Sequence, residues 1–147
     1  DTYIDAIEVS AALCDIGNIG ILRDILQKKE ALSGGEENIL RSHTLMGAEL
    51  LEEIQGGSDF NDFITIAREI VRCHHENWDG SGYPQGLKGE EIPLSARIVS
   101  LMSRYSSLTA DGNAGTAQAL SILEKEAGVR FEPDIYKICC KISRQLR

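Results

Sequence analysis

Apolar side chains recur every three to four residues through nearly the whole chain, and this helical period is the feature that most constrains the fold. In the clearest stretch, Phe60, Phe63, Ala67, Ile70 and His74 are spaced 3, 4, 3 and 4 residues apart. Such spacing places side chains on one face of an α-helix. No stretch of useful length alternates apolar and polar residues as a half-buried strand would. The sequence therefore predicts an all-α fold, a helical bundle.

Local signals mark where several helices begin and end. Ser33 is followed three residues later by Glu36, which is the spacing of a capping box. Pro93 and Pro133 suit the start of a helix, and Asp111-Gly112-Asn113 predicts a break between helices. Three further apolar stripes are Ile4, Ile7, Ala11 and Cys14; Leu94, Ile98, Leu101, Tyr105 and Leu108; and Ile135, Ile138, Ile142 and Leu146.

Length, charge and cysteine content exclude several classes of protein. The chain has 147 residues, which predicts a single domain over residues 1–147. Its net charge of −8 argues against sequence-independent binding of DNA or of anionic lipid. Four cysteines without a C-x-x-C pair are typical of a reducing, cytoplasmic compartment. No apolar run reaches the roughly 18 residues that a membrane-spanning helix needs.

Residues 76–93 form a long predicted loop that carries aromatic side chains. It contains four glycines and two prolines, which disfavour a regular helix. It also contains Trp78, Tyr83 and Leu87, which a simple linker would not need. Long loops inside compact domains are usually functional. The sequence therefore predicts a structured, functional loop here.

The chain has only three histidines, and two of them are adjacent at the predicted end of a helix. His74 and His75 come directly before the glycine-rich loop, and His43 lies in an earlier helix. Asp15 follows Cys14 just before a Gly-containing turn. His, Asp and Cys bind divalent transition ions, and helical bundles commonly assemble such sites from several helices. These five residues are therefore candidate metal ligands.

Each candidate also has an ordinary structural explanation. His74 and His75 could interact with the C-terminal end of a helix. Asp15 could belong to a turn, and Cys14 could be a small buried side chain. An isolated histidine such as His43 is more often structural than a ligand. Taken one at a time, these signals leave a metal site and a structural role both open.

The segment from His74 to Pro84 resembles the signature of the HD-GYP family, named for its His-Asp and Gly-Tyr-Pro motifs. The second motif is Gly82-Tyr83-Pro84 in this chain. The resemblance continues through Ala96-Arg97-Ile98 and extends back to Ser42-His43 and to Asp15-Ile16-Gly17. It covers most of the chain, so it is more specific than one short motif.

The resemblance implies a helical HD-type domain that hydrolyses the bacterial second messenger cyclic di-GMP at a centre of two or three metal ions. Two neighbouring metals can clamp a phosphate and activate a bridging water. The implied cofactor is a divalent transition metal (Fe, Mn or Zn) bound by Asp15, His43, His74 and His75, with Asp15 also catalytic. The implied partners are cyclic di-GMP or a related nucleotide, and GGDEF-type signalling proteins. The loop residues that would contact them are Trp78, Asp79, Gly80, Gly82, Tyr83 and Pro84.

The sequence departs from the family pattern mainly at the metal ligands. Cys14 stands where the family has the histidine of its His-Asp motif, and Asn18 stands where it has a lysine. Ser103 and Ser106 stand where the family has acids. The family's arginine-containing run aligns with residues 111–115, which contain no arginine. The remaining ligands would serve mainly one ion, with Cys14 a weak additional candidate.

We therefore expect a degenerate HD-GYP domain that acts as a regulatory or binding module in cyclic di-GMP signalling, with one bound ion or none. The alternative is an active metal-dependent phosphodiesterase with a rearranged centre, in which Glu76 or Asp79 supplies acid–base chemistry. A third hypothesis gives the motif residues a structural role alone.

The chain begins at Asp1 rather than at a methionine. We therefore expect a part of a longer bacterial, cytoplasmic protein, without the first helices of the domain and without any upstream sensor or receiver domain. The surface left by those helices could support a homodimer.

Overall fold

The computed structural model describes residues 2–56, 62–110 and 115–145, and the chain divides into two compact units, Asp1–His75 and Glu76–Arg147. In the described ranges both units are helical, and the one β-bridge, between Ala127 and Phe131, is isolated. The predicted all-α fold is confirmed. Phe60, Leu146 and the predicted break at Asp111-Gly112-Asn113 lie outside the described residues.

The first unit is built around the pairing of two helices. Its described elements are α1 (Thr2–Ala11), a 3-10 helix (Ile16–Gly20), α2 (Arg23–Leu26), α3 (Gly34–Arg41), α4 (His43–Gln55) and α5 (Asp62–Cys73). Helix α4 packs on α5, α1 packs on the same helix α5, and the 3-10 helix packs on α4. The buried side chains at the centre are Leu51, Ile64, Ala67 and Val71.

Two helix ends in this unit follow the local sequence signals. Before α3, the Ser33 hydroxyl accepts from the Glu36 N–H at 3.3 Å, and the Glu36 carboxylate accepts from the Ser33 N–H at 2.8 Å. The predicted capping box is therefore confirmed. Helix α4 ends at Gly56, whose φ of 57° is a left-handed conformation that glycine adopts without steric cost.

The predicted apolar stripes locate helices better than they locate buried faces. In α1, Ile4 is 61% exposed, and the buried residues are the small Ala6 and Ser10. In the last helix, Ile138 and Ile142 are each about half exposed. A helical period of 3.6 residues allows either of two neighbouring faces to be the buried one. Close packing buries the face that carries small residues. The two helices are therefore present, with Ile4, Ile138 and Ile142 largely exposed on them.

The second unit begins with the glycine-rich loop and continues with three described helices. They are α6 (Leu94–Thr109), α7 (Thr116–Glu126) and α8 (Pro133–Gln145), and a 3-10 turn at Gly89–Glu91 lies inside the loop. Leu101, Leu123 and Phe131 form its buried core. None of the helices in the described ranges combines the length and apolar character required to cross a membrane.

Candidate metal centre

Four of the five candidate ligands converge in the first unit. Asp15 immediately precedes the 3-10 helix, His43 is the first residue of α4, and His74 and His75 directly follow α5. One ligand atom from each of the four lies within 4.8 Å of the others. Among the described residues, this is the one group of three or more such side chains close enough to share an ion.

The ring of His43 is held with one nitrogen directed at the centre. Its Nδ1 lies 2.7 Å from the Leu40 carbonyl oxygen, so Nδ1–H donates to that carbonyl in the neutral ring. Its Nε2 is buried, has no hydrogen-bond partner and lies 3.4 Å from an Asp15 carboxylate oxygen. This distance is at the outer limit of a hydrogen bond. The backbone thus fixes the tautomer that leaves a lone pair on Nε2.

His74 repeats this arrangement from the end of α5. Its Nδ1 is 3.0 Å from the carbonyl oxygens of both Ile70 and Val71. Its Nε2 is also buried without a hydrogen-bond partner and lies 3.6 Å from the same Asp15 oxygen. A carbonyl on Nδ1 and an available Nε2 is the usual environment of a metal-binding histidine. Two independent rings therefore present the same kind of donor to one carboxylate.

His75 completes the group from a less buried position. Its ring centroid lies 5.1 Å from that of His43 and 4.1 Å from that of His74. Unlike the other two rings it is only partly buried. The four side chains thus form a cluster that is closed on the protein side and open on the side of His75 and Asp15, whose side chain is 61% exposed.

Electrostatics ties the carboxylate to the two buried rings. Its close contacts with the rings of His43 and then of His74 lower the pKa of Asp15 far below its ordinary value, against the opposing effect of burial. For His43, burial lowers the pKa, but its contacts with Asp15 and with the Leu40 carbonyl outweigh burial, so the pKa is raised overall. Without a metal ion, the pair formed by ionised Asp15 and protonated His43 is favoured. A metal ion would replace the proton that His43 takes up.

The donor set fits one divalent transition ion. Three imidazole nitrogens and one carboxylate oxygen are ligands that zinc, iron and manganese accept. The two buried Nε2 atoms are otherwise unsatisfied, which is costly inside a protein unless a partner is bound. The structure therefore brings together Asp15, His43, His74 and His75 in a geometry that could hold a metal.

Cys14 does not belong to this group. Its thiol is absent from the set of converging ligand atoms, although cysteines are chemically eligible. Burial, together with the neighbouring charge of Asp15, raises the pKa of Cys14 to about 11. The structure thus brings together four of the five candidate ligands and leaves the Cys14 thiol outside them.

Close backbone packing positions Asp15 beside His43. A Cβ added to Gly17 would lie 1.8 Å from the His43 carbonyl oxygen, and one added to Gly47 would lie 2.6 Å from a Val71 methyl. The 3-10 helix can approach α4 this closely only because both positions are glycine. Sequence reasoning did not identify this contact; the only available signal was two glycines near the two candidate ligands.

The serines that replace family acids lie on the second unit. Ser103 and Ser106 are both exposed on α6. The two arginines of that helix are engaged in ion pairs, Arg97 with Glu132 at 2.5 Å and Arg104 with Glu126 at 2.9 Å. Neutral hydroxyls offer weaker ligation than carboxylates to hard or borderline cations.

The loop of residues 76–93, called here the Gly-Tyr-Pro loop, is ordered by its own hydrogen bonds. Asp79 accepts from the Ser81 N–H at 2.9 Å, and these bonds to Ser81 lower the pKa of Asp79. Glu76 is only 2% exposed, and both of its carboxylate oxygens accept backbone N–H groups of the loop. Both carboxylates therefore bind the backbone of the loop, and the acid–base role considered above stays a prediction.

The remaining loop residues lie in a continuous surface segment. Gly80 has φ of 86°, which only glycine adopts readily, and the Tyr83–Pro84 peptide is cis. Trp78, Gly82, Tyr83 and Pro84 are partly buried. The loop predicted from its glycines and aromatic residues is therefore present as a structured segment of the second unit.

A family model described as HD domain matches residues 4–135. The chain belongs to the HD domain family. Curated relatives confirm the resemblance to HD-GYP phosphodiesterases: a probable cyclic di-GMP phosphodiesterase of Vibrio cholerae is 45% identical over 108 residues, covering 73% of this chain and 24% of that protein. A cyclic di-GMP phosphodiesterase of Thermotoga maritima is 30% identical, covering 99% of this chain and 39% of that protein.

Two further likenesses extend the comparison. A 3'3'-cGAMP-specific phosphodiesterase of Vibrio cholerae is 32% identical over 94% of this HD domain and 26% of its own length. The crystal structure of a cyclic GMP-AMP-specific phosphodiesterase of Vibrio cholerae matches with a TM-score of 0.67 at 19% identity, over 95% of this chain and 38% of that chain. The structural match shows the fold. The chain spans between about a quarter and two fifths of the length of these curated relatives.

Proposed function

We propose that this HD domain is one HD-GYP-type domain, residues 1–147, that binds a cyclic dinucleotide in bacterial second-messenger signalling, with weak or absent phosphodiesterase activity. Relatives named as cyclic di-GMP and 3'3'-cGAMP phosphodiesterases support the ligand class. The single observation that carries the proposal is the donor set: four converging ligands suffice for one ion, and the fifth candidate, Cys14, lies outside the group.

The proposed loss of activity follows from the number of ions. A bound divalent ion would polarise a phosphoryl oxygen and lower the pKa of a coordinated water. In this chain, His43 and His74 would supply the buried nitrogen ligands, and Asp15 would supply the carboxylate between them. A second ion would need at least one further ligand, and the thiol at position 14 is not among the converging ligand atoms. With one ion, only one of the two metal contacts that would hold the phosphate can form.

The test combines metal content with hydrolysis. The chain purified without added metal or chelator is expected to carry about one transition ion and to hydrolyse cyclic di-GMP at or near the background rate. The variant Cys14→His is expected to increase the metal content and to raise hydrolysis. The matched control is Cys14→Ser, which removes the thiol without supplying an imidazole nitrogen.

Two results would contradict the proposal. One is two or more ions per chain in the unaltered protein. The other is rapid hydrolysis of cyclic di-GMP that disappears in His74→Ala, because that result would make the four-ligand centre fully catalytic.

The second candidate function is an active phosphodiesterase with a single-ion centre. The observation that favours it is the held tautomer of both His43 and His74, each with Nδ1 on a backbone carbonyl and Nε2 unpartnered. Such pre-organisation is typical of functional metal sites. Hydrolysis by protein shown to hold about one ion would favour this candidate over the first.

A further inference from the structure

Glu76 is a buried acidic side chain whose position needs a physical explanation. It is 2% exposed, and no other aspartate or glutamate among the described residues is classed as buried. Removing a carboxylate from water is costly unless strong hydrogen bonds compensate for the lost hydration. Because its burial is energetically costly, the position of Glu76 must be explained by the contacts that it makes.

The compensation comes from the backbone of the Gly-Tyr-Pro loop. One carboxylate oxygen of Glu76 accepts from the Gln85 N–H at 2.7 Å, and the other accepts from the Leu87 N–H at 3.0 Å. These two donors flank Gly86, whose φ is 69°. Bonds from N–H groups to an ionised carboxylate are about twice as strong as neutral ones. One side chain therefore fixes both sides of the bend that follows Pro84.

The other end of the loop is fixed by main-chain bonds. The Trp78 N–H donates to the Arg130 carbonyl at 3.1 Å, and the Asp79 N–H donates to the Val129 carbonyl at 3.0 Å. The Gly89 N–H donates back to the Trp78 carbonyl at 2.9 Å. These bonds hold the base of the loop, Glu76 holds residues 82–87, and the Gly89–Trp78 bond links the two parts.

We propose that Glu76 is a positioning residue that holds residues 82–87 in their binding-ready shape before a ligand arrives. The proposal rests on the function proposed above and on the sequence-based expectation that this loop contacts the cyclic dinucleotide. A loop that is already ordered loses less conformational freedom when it binds, and its affinity is higher for that reason. Glu76 would therefore raise affinity without touching the ligand.

The test uses Glu76→Gln in the full chain, with Glu91→Gln as the matched control. Glutamine has nearly the shape of glutamate but replaces one acceptor oxygen with an NH₂ donor, which would face a backbone N–H. Glu91 also accepts a loop N–H, from Lys88 at 2.9 Å, but it is exposed. The control therefore removes the same charge, and the remaining amide oxygen can still accept the single N–H of Lys88.

Trp78 supplies a specific signal, because it is the single tryptophan of the chain and its carbonyl accepts the N–H of Gly89, two residues after Leu87. In Glu76→Gln, acrylamide quenching of Trp78 fluorescence is expected to increase about twofold as the loop opens locally. The Kd for cyclic di-GMP is expected to rise about tenfold. Far-UV circular dichroism and metal content are expected to stay at the unaltered level, and Glu91→Gln is expected to match the unaltered chain in all four measurements.

The proposal is overturned if Glu76→Gln leaves both the Trp78 quenching and the Kd unchanged, or if it changes only the overall stability. If Glu76→Gln does not fold, Glu76→Asp replaces it: the charge is kept, but the shorter side chain cannot reach both N–H groups, so quenching and Kd should rise in the same direction. Should the unaltered chain not bind cyclic di-GMP, the proposed function fails, while the quenching comparison still decides whether Glu76 orders the loop.

Discussion

The candidate metal centre and the Gly-Tyr-Pro loop each contain buried polar groups, but these groups are satisfied in opposite ways. In the centre, the Nε2 atoms of His43 and His74 are buried without a hydrogen-bond partner and face an ionised carboxylate. In the loop, the buried carboxylate of Glu76 has a backbone donor on each oxygen. An unsatisfied buried donor or acceptor costs about 1–3 kcal/mol.

The difference distinguishes a site that requires a bound ion from a segment whose buried carboxylate is already paired. In the histidine cluster, the buried Nε2 atoms of His43 and His74 lack hydrogen-bond partners, and a bound cation would satisfy them. In the loop, both carboxylate oxygens of Glu76 already accept backbone N–H groups, so the order of the loop does not depend on a ligand. We therefore expect changes at the histidine cluster to alter metal binding, and changes at Glu76 to alter the loop alone.

The largest expected effect comes from Gly17→Ala. The added methyl would lie 1.8 Å from the His43 carbonyl oxygen, a backbone atom that cannot move without shifting α4. We expect a loss of about 3 kcal/mol in the free energy of unfolding, together with loss of the bound ion. Urea denaturation and elemental analysis measure the two effects.

The matched control for Gly17→Ala is Gly35→Ala. No atom lies within 4 Å of a Cβ at Gly35, which is in the first turn of α3. Stability there should stay equal or rise slightly, because alanine favours helix over the unfolded chain. Normal stability and metal content in Gly17→Ala would refute the proposed role of the close backbone contact.

The next prediction concerns pH in metal-free protein. The pKa of Asp15 is lowered, so its contribution to stability is present above about pH 4 and is lost as the pH falls towards the folded pKa. The pKa of His43 is raised, so its contribution is full below about pH 6.5 and is lost as the pH rises through the folded pKa. Chelator-treated protein should therefore lose stability between about pH 6 and about pH 8.

Metal should reverse that slope. Metal binding requires neutral histidines, so stabilisation by added Zn²⁺ or Mn²⁺ should increase between about pH 6 and about pH 8. Urea midpoints measured with metal and with chelator at both pH values test this expectation. Equal slopes in the two conditions would mean that the histidine cluster does not bind the ion, and His43→Gln should show little difference between them.

The smallest expected effect comes from the cap of α3. Ser33→Ala removes the hydroxyl that accepts the Glu36 N–H, and such a loss costs about 1 kcal/mol. Because neither the histidine cluster nor the loop includes Ser33, metal content and Trp78 quenching should both stay unchanged. A change in either one would show that the two regions respond to general destabilisation, and it would weaken the comparison.

Much of the candidate site could be predicted from the sequence because its chemistry resides in rare residue types. Histidine occurs only three times, and all three histidines converge with Asp15. Cys14 was harder to assign, since its neighbour in sequence is a candidate ligand while its own thiol is not among the converging ligand atoms. Glu76 and Gly17 owe their importance to distant backbone atoms, which no local pattern reveals.

The sequence by itself determined the helical class, the cap of α3 at Ser33 and the four residues that form the candidate centre. These features depend on local spacing and on side-chain chemistry, which short segments carry. The tertiary structure alone decided that Ile4 faces outward, that Gly17 must lack a side chain, and that Glu76 serves the loop. These depend on which atoms of distant segments meet, because burial and steric fit are properties of packed pairs and not of single residues.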